Sequence, residues 1–445
     1  MTTNAMEEPE LEGRTKQVRR NLFAFSVDVI FYWLAAAFTD PLTVLLILMH
    51  KLGANEAILG MSIALRFAGQ YGVQVFVAYF MQGRHNHKKF LVWAVGLARL
   101  PMLALPLIVY HAGDTPNSTA FALWATIIIL SFVGLGEGLA GVPWAVVLAR
   151  AFSNRVRGRF LTATQIAAGV LTILISSFLV RSILPDETVH NPITAYHSFA
   201  ILVLLSAIMF QISTVGLILI QEPKAPADCD FGVRIASLKE YFLLLPKKLK
   251  EDKVFARLVT VQFFLSAGWA AYPSYAAYAI HKFNLADNWA GTFQLLQALS
   301  IALLMPIWNF LSEKKGEANA VRGVAFICLM TPIFALTLGR LNPYLFGGVF
   351  LMTGGTLASG GMWLVINHFV LTHSKEEERP MLIALMNLLN LPAAIFPLAG
   401  SILLPGQSKY GMVILLSLMT VVIGIGFVLS LRLNLEDENL RKSTQ

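Results

Sequence analysis

The chain consists largely of apolar segments about as long as a bilayer is thick, and this pattern restricts it to few folds. A hydrocarbon core about 30 Å thick is crossed by about 20 apolar residues in α-helix. Backbone groups inside lipid must be satisfied within the segment, which a helix achieves. Twelve segments meet this requirement: roughly 22–49, 57–80, 90–111, 120–149, 160–184, 197–220, 253–280, 290–311, 323–340, 345–371, 381–404 and 412–431. The sequence therefore predicts an all-α polytopic membrane protein with twelve transmembrane helices.

The composition agrees with a membrane protein. Apolar residues make up 56% of the 445 and charged residues only 13%, whereas a soluble chain carries about 25% charged residues. The apolar run after the polar first 20 residues is longer than the roughly 7–15 residues of a signal-peptide core. We therefore expect this run to be a membrane span of the mature protein and not a cleaved signal peptide. Cys229 and Cys328 form no metal or disulfide pattern, and no cofactor is predicted.

One connection is much longer than the others. Residues 221–252 contain SLKEYFLLLPKKLKED, which alternates apolar and basic residues as a membrane-surface helix does. This connection separates six predicted spans from six. The predicted divisions are a cytoplasmic tail (1–20), a six-helix bundle (21–220), a cytoplasmic central loop with an amphipathic helix (221–252), a second six-helix bundle (253–432) and a cytoplasmic tail (433–445).

The basic residues are distributed unequally between the two sides of the predicted bundle. Of 34 Lys and Arg, 26 lie on the side of the termini and five on the opposite side. Basic loops stay in the cytoplasm, so both termini are predicted to be cytoplasmic, and we expect a multi-pass protein of a bacterial inner membrane. The same distribution excludes nucleic acid as a partner, because the charge lies in loops between spans and not on one folded face.

Two pairs of segments repeat along the chain. HKLGANEAILG (50–60) matches HKFNLADNWAG (281–291), and GLAGVPWAVVLARAF (138–152) matches TLASGGMWLVINHFV (356–370) with tryptophan on tryptophan. Both spacings exceed 200 residues, whereas the repeat units of solenoids reach about 50. An even number of predicted spans separates the copies, so the two halves are predicted to be parallel repeats.

Six plus six spans, a basic central loop and parallel half-repeats resemble the major facilitator superfamily of secondary transporters, over about residues 20–432. The family has a Gly-x-x-x-Asp-Arg-x-Gly-Arg-Lys loop between spans two and three, echoed between spans eight and nine. Here VAYFMQGRHNHKKFL (77–91) lacks the Asp, and NFLSEKKGEANAVR (309–322) has a Glu in its place. The cytoplasmic gating residues that this resemblance implies are Arg84, Lys88, Lys89, Glu313, Lys314 and Gly316.

The resemblance also implies a mechanism. The substrate site of such folds lies near the middle of the bilayer between the halves, and one half rocks against the other. Spans 1, 4, 7 and 10 are then expected to line the cavity of a monomer that binds a small-molecule solute. The fifth span lacks the Gly-Pro signature of the family's drug/proton antiporters, which disfavours drug efflux.

Charges within spans are costly and mark candidate functional residues. Five charged residues lie well within predicted spans, and all of them are in the first half of the chain: Asp28, Asp40, Arg66, Arg99 and Glu137. The depth of each residue can be counted from the cytoplasmic edge of its span at about 1.5 Å per helical residue. On this count Asp28 lies at the same depth as Arg99, and Arg66 at the same depth as Glu137. We therefore predict two ion pairs and rank Glu137 first as the proton-coupling carboxylate. The alternative for Asp28–Arg99 is a pair that only joins helices, and for Asp40 a hydrated position near the interface.

The second half offers aromatic and amide groups instead of charges. Trp269, Tyr272 and Tyr275 in the seventh span are predicted to form a stacking wall with hydroxyl donors; an interfacial aromatic belt is the alternative. Gln294, Gln297 and Asn367 are predicted to face the cavity, with hydrogen bonding between helices as their alternative role.

The sequence thus predicts a secondary active transporter that moves a small solute by alternating access, coupled to protons. A transporter-like sensor or assembly factor without transport activity is the alternative. No catalytic motif is found, so an enzyme is not expected. Symport and antiport are both compatible with these residues.

Overall fold

A computed structural model of the chain describes residues 8–40, 44–81, 86–152, 154–184, 192–223, 238–286, 289–358, 361–373, 379–403 and 409–433. Every regular element in these ranges is helical. The first ten α-helices are α1 Glu8–Phe38, α2 Val44–Lys51, α3 Glu56–Gly72, α4 Gln74–Met81, α5 His87–Arg99, α6 Leu105–Tyr110, α7 Pro116–Ala151, α8 Asn154–Leu174, α9 Arg181–Ile183 and α10 Pro192–Leu219. The others are α11 Leu238–Glu251, α12 Lys253–Leu265, α13 Ser274–Phe283, α14 Trp289–Lys315, α15 Glu317–Leu336, α16 Pro343–Thr353, α17 Gly361–His373, α18 Arg379–Leu389, α19 Phe396–Ile402 and α20 Lys409–Leu431.

Ten helical runs in the described ranges are long and apolar enough to cross a membrane, or eleven if the pair Met381–Leu389 and Leu391–Ile402, bent by 40°, is one span. The predicted span 57–80 is not among them. Its helix is interrupted at Val73, so α3 and α4 are each shorter than the roughly 20 residues that a crossing needs. The all-helical polytopic class is confirmed, whereas the count of twelve and the repeat layout stay predictions.

Several predicted spans are interrupted helices. The first, predicted at 22–49, starts as early as Glu8 in α1 and continues in α2. In the seventh, α12 passes into a 3₁₀ turn (Ser266–Ala270), and α13 begins after Pro273, which has no N–H to donate. In the tenth, α16 passes into a π-turn (Gly354–Ala358). Such breaks are tolerated at membrane depth where the backbone is enclosed by protein or lines a cavity.

Most buried apolar residues form clusters that follow the order of the chain. The largest combines residues between Val254 and Leu433 with a single residue of α3, Ile63. Two further clusters contain only residues between Ala24 and Ile220. We use N-terminal half for residues 8–223 and C-terminal half for residues 238–433. Within the connection between them, residues Leu238–Glu251 form a helix, α11, with exposed lysines, and its place at the membrane surface stays a prediction.

The two ends of the molecule can be told apart by single contacts. Asn21 and Gln221 exchange two hydrogen bonds, of 2.9 and 2.8 Å, and mark what we call the terminal end. His50 and His281 mark the distal end, where α2 and α13 finish and the two imidazole centroids lie 5.9 Å apart. The first residues of the repeated segments 50–60 and 281–291 thus lie together at one end of the molecule.

The two halves also meet along α3. A Cβ atom built on Gly60 would lie 2.5 Å from the Pro397 carbonyl oxygen and 2.7 Å from Ser401 Cβ, so no larger residue fits there without movement. We call this line of contact between the two halves the seam. Further along the seam, Asn387 Nδ2 of α18 donates to Gln74 Oε1 of α4 at 2.6 Å. The seam therefore combines a close backbone approach with a buried polar contact.

Candidate functional site

Glu137 lies at the junction of three helices of the N-terminal half. Arg66 Nη2 on α3 donates to Glu137 Oε1 at 3.0 Å, and the Tyr32 hydroxyl on α1 donates to the same oxygen at 2.9 Å. The predicted Arg66–Glu137 ion pair is confirmed, with the two side chains 15% and 12% exposed. Within the described part of the chain, Glu137 Oε2 makes no hydrogen bond. Glu137 Oε1 thus accepts two hydrogen bonds, while Oε2 can accept a proton or a ligand.

Small residues on α7 permit this close approach. A Cβ on Gly134 would lie 2.6 Å from the Arg66 carbonyl oxygen, and a Cβ on Gly138 would lie 2.5 Å from that of Gly69. Both glycines allow the backbones of α3 and α7 to come together, as small residues do between membrane helices. Helix packing therefore accounts for these glycines, and the carboxylate between them is positioned by the packing.

Asp28 and Arg99 do not form the predicted ion pair. Among the described residues, the Asp28 carboxylate accepts from Ser213 Oγ at 2.7 Å and from Trp144 Nε1 at 2.9 Å. Arg99 Nη1 donates to the same Ser213 hydroxyl at 3.0 Å. The prediction was wrong because two side chains at the same depth in the membrane can point in different directions around their helices. Here a serine on α10 lies between the two charges.

Tyr32 links the two buried carboxylates. Its hydroxyl is bonded to Glu137, and the Arg99 guanidinium lies over its ring at 5.6 Å. Arg99 in turn reaches Asp28 through Ser213. The groups that the sequence divided into two pairs thus form one continuous chain of contacts across α1, α3, α5, α7 and α10.

Asp40 stands at the end of α1, where the helix finishes at Phe38, and is partly exposed. Its carboxylate is close enough to act electrostatically on Arg66 and on Tyr272. Tyr272 belongs to the C-terminal half. Asp40 therefore shares one central region with the Arg66–Glu137 pair and with the predicted aromatic wall.

The aromatic residues of the seventh span divide between two environments. The Trp269 ring packs edge-on against Phe67 of α3, with centroids 4.6 Å apart, and lies 5.1 Å from Tyr272. Tyr275 instead turns to Phe346 within its own half, at 6.1 Å. Trp269 and Tyr272 therefore lie where the halves meet, and Tyr275 lies behind them.

The amide residues are all buried, and their contacts differ. Gln294 Nε2 donates to the Ala37 carbonyl of α1 and thereby joins the two halves. Asn367 Nδ2 donates to the Trp363 carbonyl of its own helix at 2.7 Å. In the described ranges, the buried atoms of the C-terminal half that have no hydrogen-bond partner include Ser274 Oγ, Tyr275 Oη, Gln294 Oε1, Gln297 Nε2, Asn387 Oδ1 and Asn390 Oδ1.

The sequence profile of the Major Facilitator Superfamily matches residues 27–397, most of the chain. The chain belongs to this superfamily. It is therefore a secondary transporter of a small-molecule solute and an integral, multi-pass membrane protein. No curated protein sequence matches it significantly.

Solved structures of transporters share its fold at low sequence identity. A POT family transporter in complex with 5-aminolevulinic acid has a TM-score of 0.65 at 14% identity, with 94% of this chain and 96% of that chain covered. A D-xylose–proton symporter has a TM-score of 0.59 at 13% identity, with 94% of this chain and 95% of that chain covered. A bacterial homologue of the iron transporter ferroportin has a TM-score of 0.57 at 15% identity, with 95% of this chain and 99% of that chain covered. At these identities the likeness establishes the fold.

The superfamily's loop between the second and third spans is only partly described, and Arg84 lies outside the described residues. The α5 helix that follows it begins beside a carboxylate that we did not predict from the sequence. Glu222 accepts from the backbone N–H of Lys88 at 2.8 Å and from Arg150 Nη1 at 2.7 Å, while Lys89 is exposed. In the second copy, Glu313 and Lys314 are exposed near the end of α14, and Gly316 has a φ of +88°, a conformation that favours glycine.

Sequence reasoning also missed Tyr32, Ser213 and the capping role of Glu222. Tyr32 carried a usable signal, since it follows Asp28 by four residues and so lies on the same helical face. Ser213 carried none, because a serine in a membrane helix usually bonds its own backbone. Glu222 lay in the polar connection, where carboxylates are ordinary.

Proposed function

We propose that this superfamily member is a proton-coupled secondary transporter of a small, hydrogen-bonding solute, working by alternating access. The observation that carries the proposal is the geometry at Glu137. A carboxylate within a span is bonded twice at one oxygen and has no described partner at the other. Ionisable groups at this depth are costly and rarely kept without use.

The Arg66–Glu137 contact suits a carboxylate that alternates between two states. Arg66, at 3.0 Å, compensates the charge of the carboxylate. A movement that separated the two side chains would leave that charge unpaired within the span, which is costly. Because α3 carries Arg66 and also meets the C-terminal half at Gly60, movement of the seam would reach this contact directly.

The C-terminal half is proposed to supply the neutral contacts to the solute. Trp269 and Tyr272 provide an aromatic surface where the halves meet. Buried Gln294 and Gln297 each have one side-chain atom without a partner among the described residues. An unmet buried polar group costs about 1–3 kcal/mol, so a solute that bonds to these amides would be stabilised. Asn367 and Tyr275 are proposed as second contacts.

We further propose twelve spans in two parallel six-helix repeats, with both termini in the cytoplasm of a bacterial cell and the protein acting as a monomer in the inner membrane. The excess of basic residues on the side of the termini supports this orientation. The loops around Lys88, Lys89, Glu313, Lys314 and Gly316, together with Arg84, are proposed to gate the terminal end.

A solute screen tests the proposal. Purified protein is heated with sugars, nucleosides, amino acids and short peptides, and one chemical class should raise the melting temperature, because a ligand that binds only the folded state stabilises it. That solute should then acidify or alkalise the lumen of proteoliposomes that contain a trapped pH dye. A stabilising solute that binds but never crosses would contradict transport and support the sensor alternative. Transport without a pH change would contradict proton coupling.

A further inference from the structure

The two histidines at the distal end come from opposite halves, and their rings lie edge to face. His50 ends α2 and His281 lies in the last turn of α13, and both side chains are exposed. Their ring centroids are 5.9 Å apart and their planes are inclined by 80°. No hydrogen bond to another described residue involves either ring, so their nitrogens are available to a solvent-borne ligand.

This separation fits two imidazoles that share one metal ion. A ring nitrogen binds Zn²⁺ at about 2.0–2.1 Å, which puts the ring centroid roughly 3.2 Å from the metal. Two such rings have centroids about 5.3–6.5 Å apart for angles at the metal between tetrahedral and linear. The observed 5.9 Å lies inside this interval. Imidazole is a preferred ligand of zinc, copper and nickel.

Each histidine is followed by a lysine, Lys51 after His50 and Lys282 after His281. Lys282 Nζ donates to the Arg340 carbonyl oxygen at 3.1 Å. The same ammonium group lies over the Phe283 ring at 4.8 Å. Lys282 is therefore held by a carbonyl and an aromatic face of its own half.

We propose that His50 and His281 form a binding site for a first-row transition-metal ion such as Zn²⁺, placed across the seam between the two halves. Among the described residues, no group of three or more His, Cys, Asp or Glu could hold a metal. The site is therefore an open one, with two protein ligands and with water completing the coordination. An open, exposed site exchanges its ion with the solution, unlike the closed site of a structural zinc.

A metal at this position would join the distal ends of α2 and α13. Only neutral imidazole binds metal, so the affinity should fall as the solution is acidified. In a transporter whose halves separate at this end, the ion would hold the end closed and inhibit transport. That consequence rests on the proposed function, whereas binding itself does not.

Binding is tested on the full-length purified protein with the metal alone. Isothermal titration with Zn²⁺ should show one saturable ion per chain. His50→Ala and His281→Ala should each weaken binding at least about tenfold, as expected when one of two ligands is lost, and the double variant should bind no more tightly than either single variant. His111→Ala removes another exposed histidine and should change nothing. Circular dichroism and gel filtration check that each variant is folded.

Copper provides an independent count of the ligands. With Cu²⁺ as the probe, electron paramagnetic resonance should show two equivalent nitrogen ligands, and one in either single variant. Wild-type Zn²⁺ affinity in the double variant, or a spectrum without histidine nitrogen, would overturn the proposal. Because neither measurement needs solute or transport, failure of the metal site and failure of the proposed transport function would be distinguishable.

Discussion

The Tyr32 hydroxyl donates to the same Glu137 oxygen that Arg66 contacts, at 2.9 Å from α1. This shared acceptor ties the first, second and fourth predicted spans to one carboxylate. It leaves the other carboxylate oxygen without a described partner. The position of Tyr32 therefore sets the direction in which Glu137 can meet a proton or a solute.

Tyr32→Phe tests this positioning. The change removes one hydrogen bond to a charged acceptor, which contributes about 1.5–3 kcal/mol, and it preserves the ring beside Arg99. We expect a modest loss of thermal stability and a displaced pH profile of transport, because the carboxylate that is proposed to carry the proton loses one of its two described hydrogen bonds. Tyr410→Phe alters a side chain that is 79% exposed and serves as the control. An unchanged pH profile would show that Tyr32 only fills space.

Arg66 and Glu137 should behave as a coupled pair in a double-mutant cycle. Removing one partner of a buried pair leaves an unpaired charge and costs about 3–5 kcal/mol. The side chains are 15% and 12% exposed, so we expect the lower end of this range for Arg66→Met or Glu137→Gln in denaturant unfolding. The double variant should cost less than the sum of the single variants.

The exposed pair Lys247–Glu251, at 3.8 Å with 68% and 53% exposure, provides the comparison. A helix-surface pair of this kind contributes about 0.3–0.5 kcal/mol. If the Arg66–Glu137 coupling energy were no larger than that, the ion pair would not be an element of the stable fold.

Part of this site could be predicted from the sequence. Charges within spans stand out, and equal depth correctly paired Arg66 with Glu137. The same reasoning failed for Asp28 and Arg99, because the rotation of each helix decides what a side chain faces and is fixed only by packing. The break at Val73 was also invisible, since valine is no helix breaker and the interruption arises in the packed structure. Hydroxyl groups such as those of Tyr32 and Ser213 add no charge to mark them.

Two glycines of α3 give a matched test of the seam. A Cβ on Gly60 would collide with Pro397 and Ser401, whereas a Cβ on Gly72 would meet only Leu391 side-chain atoms at 3.6 and 3.7 Å, an ordinary contact. Gly60→Ala should therefore force the halves apart near the distal end and destabilise the protein, typically by about 1–3 kcal/mol for an overpacked site. Gly72→Ala should be close to neutral. Thermal unfolding, together with accessibility of a cysteine placed at Ser401, would measure both effects, and equal behaviour of the two variants would contradict the close approach.

The central claim is that Glu137 couples proton movement to solute movement, and Glu137→Gln tests it most directly. Glutamine preserves the shape and can still accept from Tyr32, but it cannot titrate. In proteoliposomes with a solute identified by the stability screen, this variant should bind and exchange the solute yet fail to accumulate it against a gradient. Glu251→Gln, on the exposed face of α11, should accumulate it normally. Accumulation by Glu137→Gln at the wild-type rate would contradict the account and leave Asp28 or Asp40 as the coupling carboxylate.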